Sequence, residues 1–126
     1  MSEGTISSAE QVVDQCRRLE LLTDGWMGHG SIAPSASDIE SVKRGLLSSM
    51  PDGMEPPSIT ATGNGELFLE WRVGNWIVSA ETLAGKIEIH ALNLISKQVE
   101  EIDIPQSSPE CWGTVIYFIE LFLTHP

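Results

Sequence analysis

Between Pro56 and Pro105 the chain alternates apolar and polar residues with a period of two, and a helix there cannot satisfy that pattern. In ELFLEWRV (Glu66–Val73), Leu67, Leu69, Trp71 and Val73 fall on one side while Phe68, Glu70 and Arg72 fall on the other, as in a half-buried strand. The next four residues, Val73–Trp76, offer Gly74 and Asn75 as the centre of a tight primed turn, because both tolerate positive φ and match the right-handed twist of paired strands. WIVSAET, from Trp76, predicts the following strand. Gly85 breaks the connection after it, KIEIHALNL (Lys86–Leu94) predicts another strand, VEEIDIP (Val99–Pro105) one more, and SITAT (Ser58–Thr62) a shorter one at the start. Four or five strands joined in order in this way make an antiparallel meander.

Helical periods flank this region. In SSAEQ, Ser7 is placed to cap a helix with Glu10 returning the bond as a capping box, and Val12, Cys16, Leu19 and Leu22 then recur on one face. Ser35 and Asp38 repeat the signal ahead of Ile39, Val42, Leu46 and Met50, and Pro51, Asp52 and Gly53 end that helix. Near the end of the chain Ser108 suits an N-cap, Pro109 the first helical position, and Glu110 the positive end of the helix dipole. In that helix Trp112, Val115, Ile116, Ile119, Phe122 and Leu123 cover more than one face, so it is either sandwiched between the sheet and the first two helices or shared with another subunit. The expected fold is α+β: two N-terminal helices, a four- or five-stranded antiparallel meander, and a C-terminal helix on the same core.

Composition sets the class. A chain of 126 residues, 41% of them hydrophobic, suffices for one core, and residues 1–126 are read as a single domain. Eighteen acidic residues against 7 basic ones leave a net charge of −11, which disfavours direct nucleic-acid binding because phosphate contacts depend on Lys and Arg. The apolar run Gly113–Leu123 is interrupted by Glu120 and falls short of the roughly 20 residues a bilayer requires, so no membrane association is expected. Glu3, Glu10, Asp14, Arg17 and Arg18 occupy the place of an apolar leader core, and a cytoplasmic setting with Cys16 and Cys111 as free thiols is expected.

Few residue patterns carry chemistry. His29, His90 and His125 are dispersed and the two cysteines are far apart, so neither a metal nor another cofactor is expected. Cys111 lies near a helix N-terminus, where a dipole lowers a thiol pKa, but Glu110 opposes that, and Cys16 belongs to an apolar stripe. Glu101 and Asp103 share one side of their strand, and with Glu66, Glu70, Glu81 and Glu88 they are candidates for a negative sheet face that binds a partner. In the loop DGWMGHGSIAPS (Asp24–Ser35), Gly25, Gly28 and Gly30 lie between two helices rather than after a strand, the wrong context for a phosphate cradle. A structural corner in which Trp26 folds back onto the core suits them better.

The segment LELLTDGWMGHGSIAPSASDIESVKRGLLSSMP followed by PPSITATGNGELFLEWRVGN resembles a widespread group of small acidic bacterial and phage-borne proteins with a Gly-Trp-Asp-Gly-aromatic-Gly loop and a Leu-Glu-Trp strand. The likeness spans Leu19 to about Ile89. Trp26, Gly28, Gly30, Pro34, Leu69, Glu70 and Trp71 fall on the pattern, Met27 stands for its aspartate and His29 for its aromatic residue, and the C-terminal helix lies outside it. The resemblance implies a fold rather than a reaction, together with a role in conflict between genomes, as an antitoxin or an inhibitor of a defence complex.

These features point to a non-enzymatic acidic module that binds a protein with a basic surface, such as a nucleic-acid-handling effector, through the six carboxylates named above, with Met27 and His29 as further contacts. Two alternatives stand beside it. One is a scaffold subunit that forms a homodimer through the C-terminal helix, and the other a small enzyme using His29 with Asp24, or Cys111.

Overall fold

Alternation becomes a five-stranded sheet in the structure, a computed structural model that describes residues 7–124. Two helices precede the sheet, α1 (Ser8–Glu20) and α2 (Ala36–Ser49). The strands are β1 (Ser58–Ala61), β2 (Leu67–Val73), β3 (Trp76–Leu83), β4 (Lys86–Asn93) and β5 (Val99–Pro105), and α3 (Cys111–Thr124) follows. Each strand pairs antiparallel with the next, in the order β1-β2-β3-β4-β5, so the fold is α+β with a meander at its centre. His125 and Glu3 lie outside the described residues.

Register turns the alternation into one buried face. Ile59, Leu69, Ala80, Ile89 and Ile102 stand opposite one another across all five strands, and the first four are buried. Val12, Cys16 and Leu19 of α1, Ile39, Val42 and Leu46 of α2, and Val115, Ile116 and Ile119 of α3 join them in a single core. Of the two placements open to the last helix, the first is observed: α3 packs on α2 and against β2, β3 and β5. Tyr117 and Leu123 remain exposed on it.

Local signals explain the element ends, with three differences. The Ser7 Oγ accepts from Glu10 N at 3.1 Å and the Ser35 Oγ from Asp38 N at 3.1 Å, as N-caps do. The Glu10 carboxylate does not return a bond to the Ser7 backbone; it takes the Ser7 hydroxyl hydrogen at 3.2 Å, because the hydroxyl can accept and donate together. The Ser108 Oγ accepts from Glu110 N at 3.3 Å, yet Pro109 and Glu110 form a tight turn and the regular helix begins at Cys111. In the β2–β3 turn only Gly74 has a positive φ (59°), as in a primed turn with glycine at its first central position, and Asn75 keeps a negative one.

Two contacts hold the layers in place. At Gly45 the α2 backbone meets the Trp112 side chain of α3 so closely that an added Cβ would lie 2.5 Å from Trp112 Cγ. The second contact closes the β1 edge. Thr62 N–H donates to the Glu66 carbonyl, so alternation aims the Ile59 backbone away from β2. Gln15 of α1 fills the vacant side: its Oε1 accepts from Ile59 N at 2.8 Å and its Nε2 donates to the Pro57 carbonyl at 2.9 Å.

Gly45→Ala should cost roughly 1–3 kcal/mol through overpacking against the indole, and Gln15→Ala about 1–3 kcal/mol by orphaning half-buried backbone groups. Urea unfolding of both, with exposed Ser41→Ala on α2 as the control, measures these losses. A Gly45→Ala midpoint equal to that of the control would contradict the close α2–α3 approach.

Candidate functional site

Since the helices take one face of the sheet, the side chains between the core positions form a second face with no helix over it among the described residues. Register arranges it in rows. Phe68, Glu81, Glu88 and Asp103 stand opposite one another across β2 to β5, and Glu70, Ser79, His90 and Glu101 form the next row. Arg72, Ile77, Leu92 and Val99 form a third. Glu66, just ahead of β2 and in phase with Phe68 and Glu70, adds its charge to the first row, where it acts on Glu81. The six carboxylates singled out in the sequence therefore share one surface, opposed there by two cations, Arg72 and Lys86.

Like charges opposite one another on a sheet repel. Burial, then the charges of Glu66 and Glu88, push the Glu81 carboxyl above its ordinary value. Lys86 relieves the far end of the row, with its Nζ 3.3 Å from Asp103 Oδ2 and 3.7 Å from Glu88 Oε2, and His90 Nδ1 lies 3.5 Å from Glu101 Oε1. Four other cations, Arg17, Arg18, Lys43 and Arg44, belong to α1 and α2, where Asp14 and Glu40 engage Arg17, Lys43 and Arg44. No group of three or more His, Cys, Asp or Glu is arranged to hold a metal among the described residues.

The apolar third row was not singled out in the sequence. Ile77 and Leu92 are half-buried and Val99 is 49% exposed, beside the carboxylate rows. The signal lay in phase: Leu92 has the parity of Lys86, Glu88 and His90, so a strand that turns its charges outward turns Leu92 outward too.

The Asp24–Ser35 loop is a corner held by its own hydrogen bonds. Asp24 Oδ1 accepts from Ala33 N at 3.0 Å, Gly25 N donates to the Ser31 carbonyl at 2.8 Å, and the Ser31 Oγ donates to the Gly28 carbonyl at 2.7 Å. Gly25, Gly28 and Gly30 all have positive φ, which explains their number. The corner docks on the β1–β2 turn: Ile32 N donates to the Gly63 carbonyl at 2.7 Å, Gly65 N returns a bond to the Ile32 carbonyl, and Pro34 is buried. Trp26 departs from expectation. It is half-buried outside the core, with its indole N–H directed at the Ile32 carbonyl at 3.4 Å, because Ile32 and Pro34 already anchor the corner.

The structure thus separates the remaining candidates. Met27 is 58% exposed, but its Sδ lies against Gly63, where an added Cβ would meet it at 2.5 Å. His29 is exposed, and no hydrogen bond or ion pair joins it to Asp24, whose carboxylate is engaged by Ala33. Both cysteines are buried and unpaired, and burial pushes the Cys16 thiol up to about 11. No helix of the described residues is long and apolar enough to cross a membrane. No protein family, curated protein or solved structure matches the chain.

The folded chain holds the Glu81 proton more tightly than the unfolded chain does. The contribution of Glu81 to stability is therefore fully present below the ordinary 4.5, is lost as pH rises from there through the raised native value, and is constant above it. Glu81→Gln should raise the urea midpoint at neutral pH and flatten its rise on mild acidification. A midpoint lower than wild type at neutral pH would show the carboxylate to be favourably placed instead.

Proposed function

We propose that this protein is a non-enzymatic binding module whose uncovered sheet face docks on a basic surface of another protein. One observation carries the proposal: a sheet face that no described helix covers gathers Glu66, Glu70, Glu81, Glu88, Glu101 and Asp103, with burial and the charges of Glu66 and Glu88 pushing the Glu81 carboxyl above its ordinary value. A cationic partner removes that repulsion, so the unfavourable arrangement in the free protein becomes favourable in a complex. The row Ile77, Leu92 and Val99 supplies apolar area next to the charges, the mixture that protein interfaces use.

Lys- and Arg-rich surfaces of the required kind occur on nucleic-acid-handling effectors. An acidic protein seated there competes with the nucleic acid, which is how an inhibitor or antitoxin of such an effector would act. The resemblance of the Asp24–Ser35 loop and the Leu69–Trp71 strand to small phage-borne proteins supports the same role. The self-contained bonding of that loop and the burial of both thiols favour binding over catalysis.

The test compares wild type with Glu70→Gln/Glu88→Gln/Glu101→Gln, which leaves the Lys86–Asp103 pair in place. A partner purified from the native host with wild type should have a basic surface and be lost with the triple variant. It should also dissociate as the Debye length falls from about 10 Å near 0.1 M salt to about 3 Å at 1 M. Equal retention by the variant, or indifference to salt, removes the electrostatic docking.

A further inference from the structure

The two edges of the sheet are finished differently. At β1, Gln15 occupies the outward backbone groups of Ile59 and Pro57. At β5 the ladder phase is fixed at both ends, since Asn93 N donates to the Gln98 carbonyl and Gln106 N donates to the Gly85 carbonyl. Even-numbered β5 residues therefore bond to β4, and the backbone groups of Val99, Glu101 and Asp103 point away from the sheet. All three residues are exposed, and no side chain of the described residues takes the place that Gln15 fills at β1. Pro105 ends the row with a carbonyl but no N–H.

We propose that β5 is a strand-addition site for an extended basic segment of another protein, which joins the sheet antiparallel as a sixth strand. This deepens the proposed function by naming how the partner docks, and it rests on that reading for the partner's charge. The side chains of Val99, Glu101 and Asp103 lie on the uncovered face, so residues of the incoming strand placed opposite them project to that face as well. Opposite Glu101 and Asp103, lysine or arginine is favoured.

Alternate residues of the same segment point to the helix side, next to Gln98 and Glu100. There a cleft of about 740 Å³ opens, with the Trp76–Phe122 ring pair, centroids 4.6 Å apart, and Leu121 among its walls. An apolar side chain fits it. Main-chain bonds to an edge, with a pocket for alternate side chains, constitute a known mode of peptide recognition, and here the geometry calls for alternating basic and apolar residues.

A second copy of the chain suits the edge poorly. Antiparallel pairing of β5 with itself about Glu101 sets Glu101 against Glu101, a shift of one ladder step toward Pro105 sets Glu101 against Asp103, both repulsive, and a shift toward Val99 sets Glu101 against Val99, where no strand residue offers it a cation.

Two peptides make the test: acetyl-Lys-Leu-Lys-Val-Lys-Leu-Lys-amide, and the same peptide N-methylated at its lysines, which keeps every charge but removes the donors that would face β5. The first should bind and slow hydrogen exchange at the Val99, Glu101 and Asp103 amides, and the second should bind roughly tenfold more weakly or less. Glu101→Gln should retain the protection with weaker, less salt-sensitive binding. Glu101→Pro, with folding checked by thermal unfolding, should lose the protection at that position's neighbours; if it does not fold, the methylated peptide alone decides.

Equal binding of the two peptides without protection overturns strand addition and leaves charge-driven docking of the face intact. Binding of neither overturns strand addition, while the host-partner experiment judges the face separately. Concentration-dependent protection of the same amides without peptide overturns it in favour of self-pairing.

Discussion

All three described helices pack on the same face of the five-stranded meander, and the rest of the structure follows from that arrangement. Side chains alternate, so the row from Ile59 to Ile102 and its neighbours are committed to the helices, and the intervening positions are left to whatever lies outside. In a chain of net charge −11 those positions carry most of the carboxylates of the strands. Like charges opposite one another on a sheet repel, and at Glu81 burial, then the charges of Glu66 and Glu88, push the carboxyl above its ordinary value. The basic partner proposed above would remove that cost.

Close packing on the helical side gives that face a rigid support. Gly45 lets α2 meet Trp112 of α3 backbone to ring, and the large apolar side chains of α3 fill the space between α2 and the sheet. At the other end of the hairpin series, the glycine-rich corner attaches the α1–α2 connection to the β1–β2 turn through Ile32. The corner has a structural task, and Asp24 performs it by holding Ala33.

Strand positions, helix stripes and the shared outward phase of the six carboxylates were legible in the sequence because each depends on local periodicity. Serine caps were legible too, since a cap involves a side chain and an amide three residues on. Features joining distant parts were not. Nothing near Gln15 announces that it will meet Ile59, 44 positions away. Trp26 looked like a core residue because of its size, but it is the Ile32 backbone that docks on the β1–β2 turn, and the indole is left beside it. Leu92 and Val99 were overlooked as surface residues for a different reason: apolar character dominated a phase that their neighbours stated plainly.

The glutamine at β1 has a consequence for assembly. A sheet whose two borders are both open can take up a molecule on each side and hand the pairing on, so that chains accumulate into a fibril. Gln15 blocks that relay at one border. With β1 occupied in this way, copies of the chain have only β5 to offer one another, so edge pairing between them would stop at two and the sheet cannot be passed on from copy to copy.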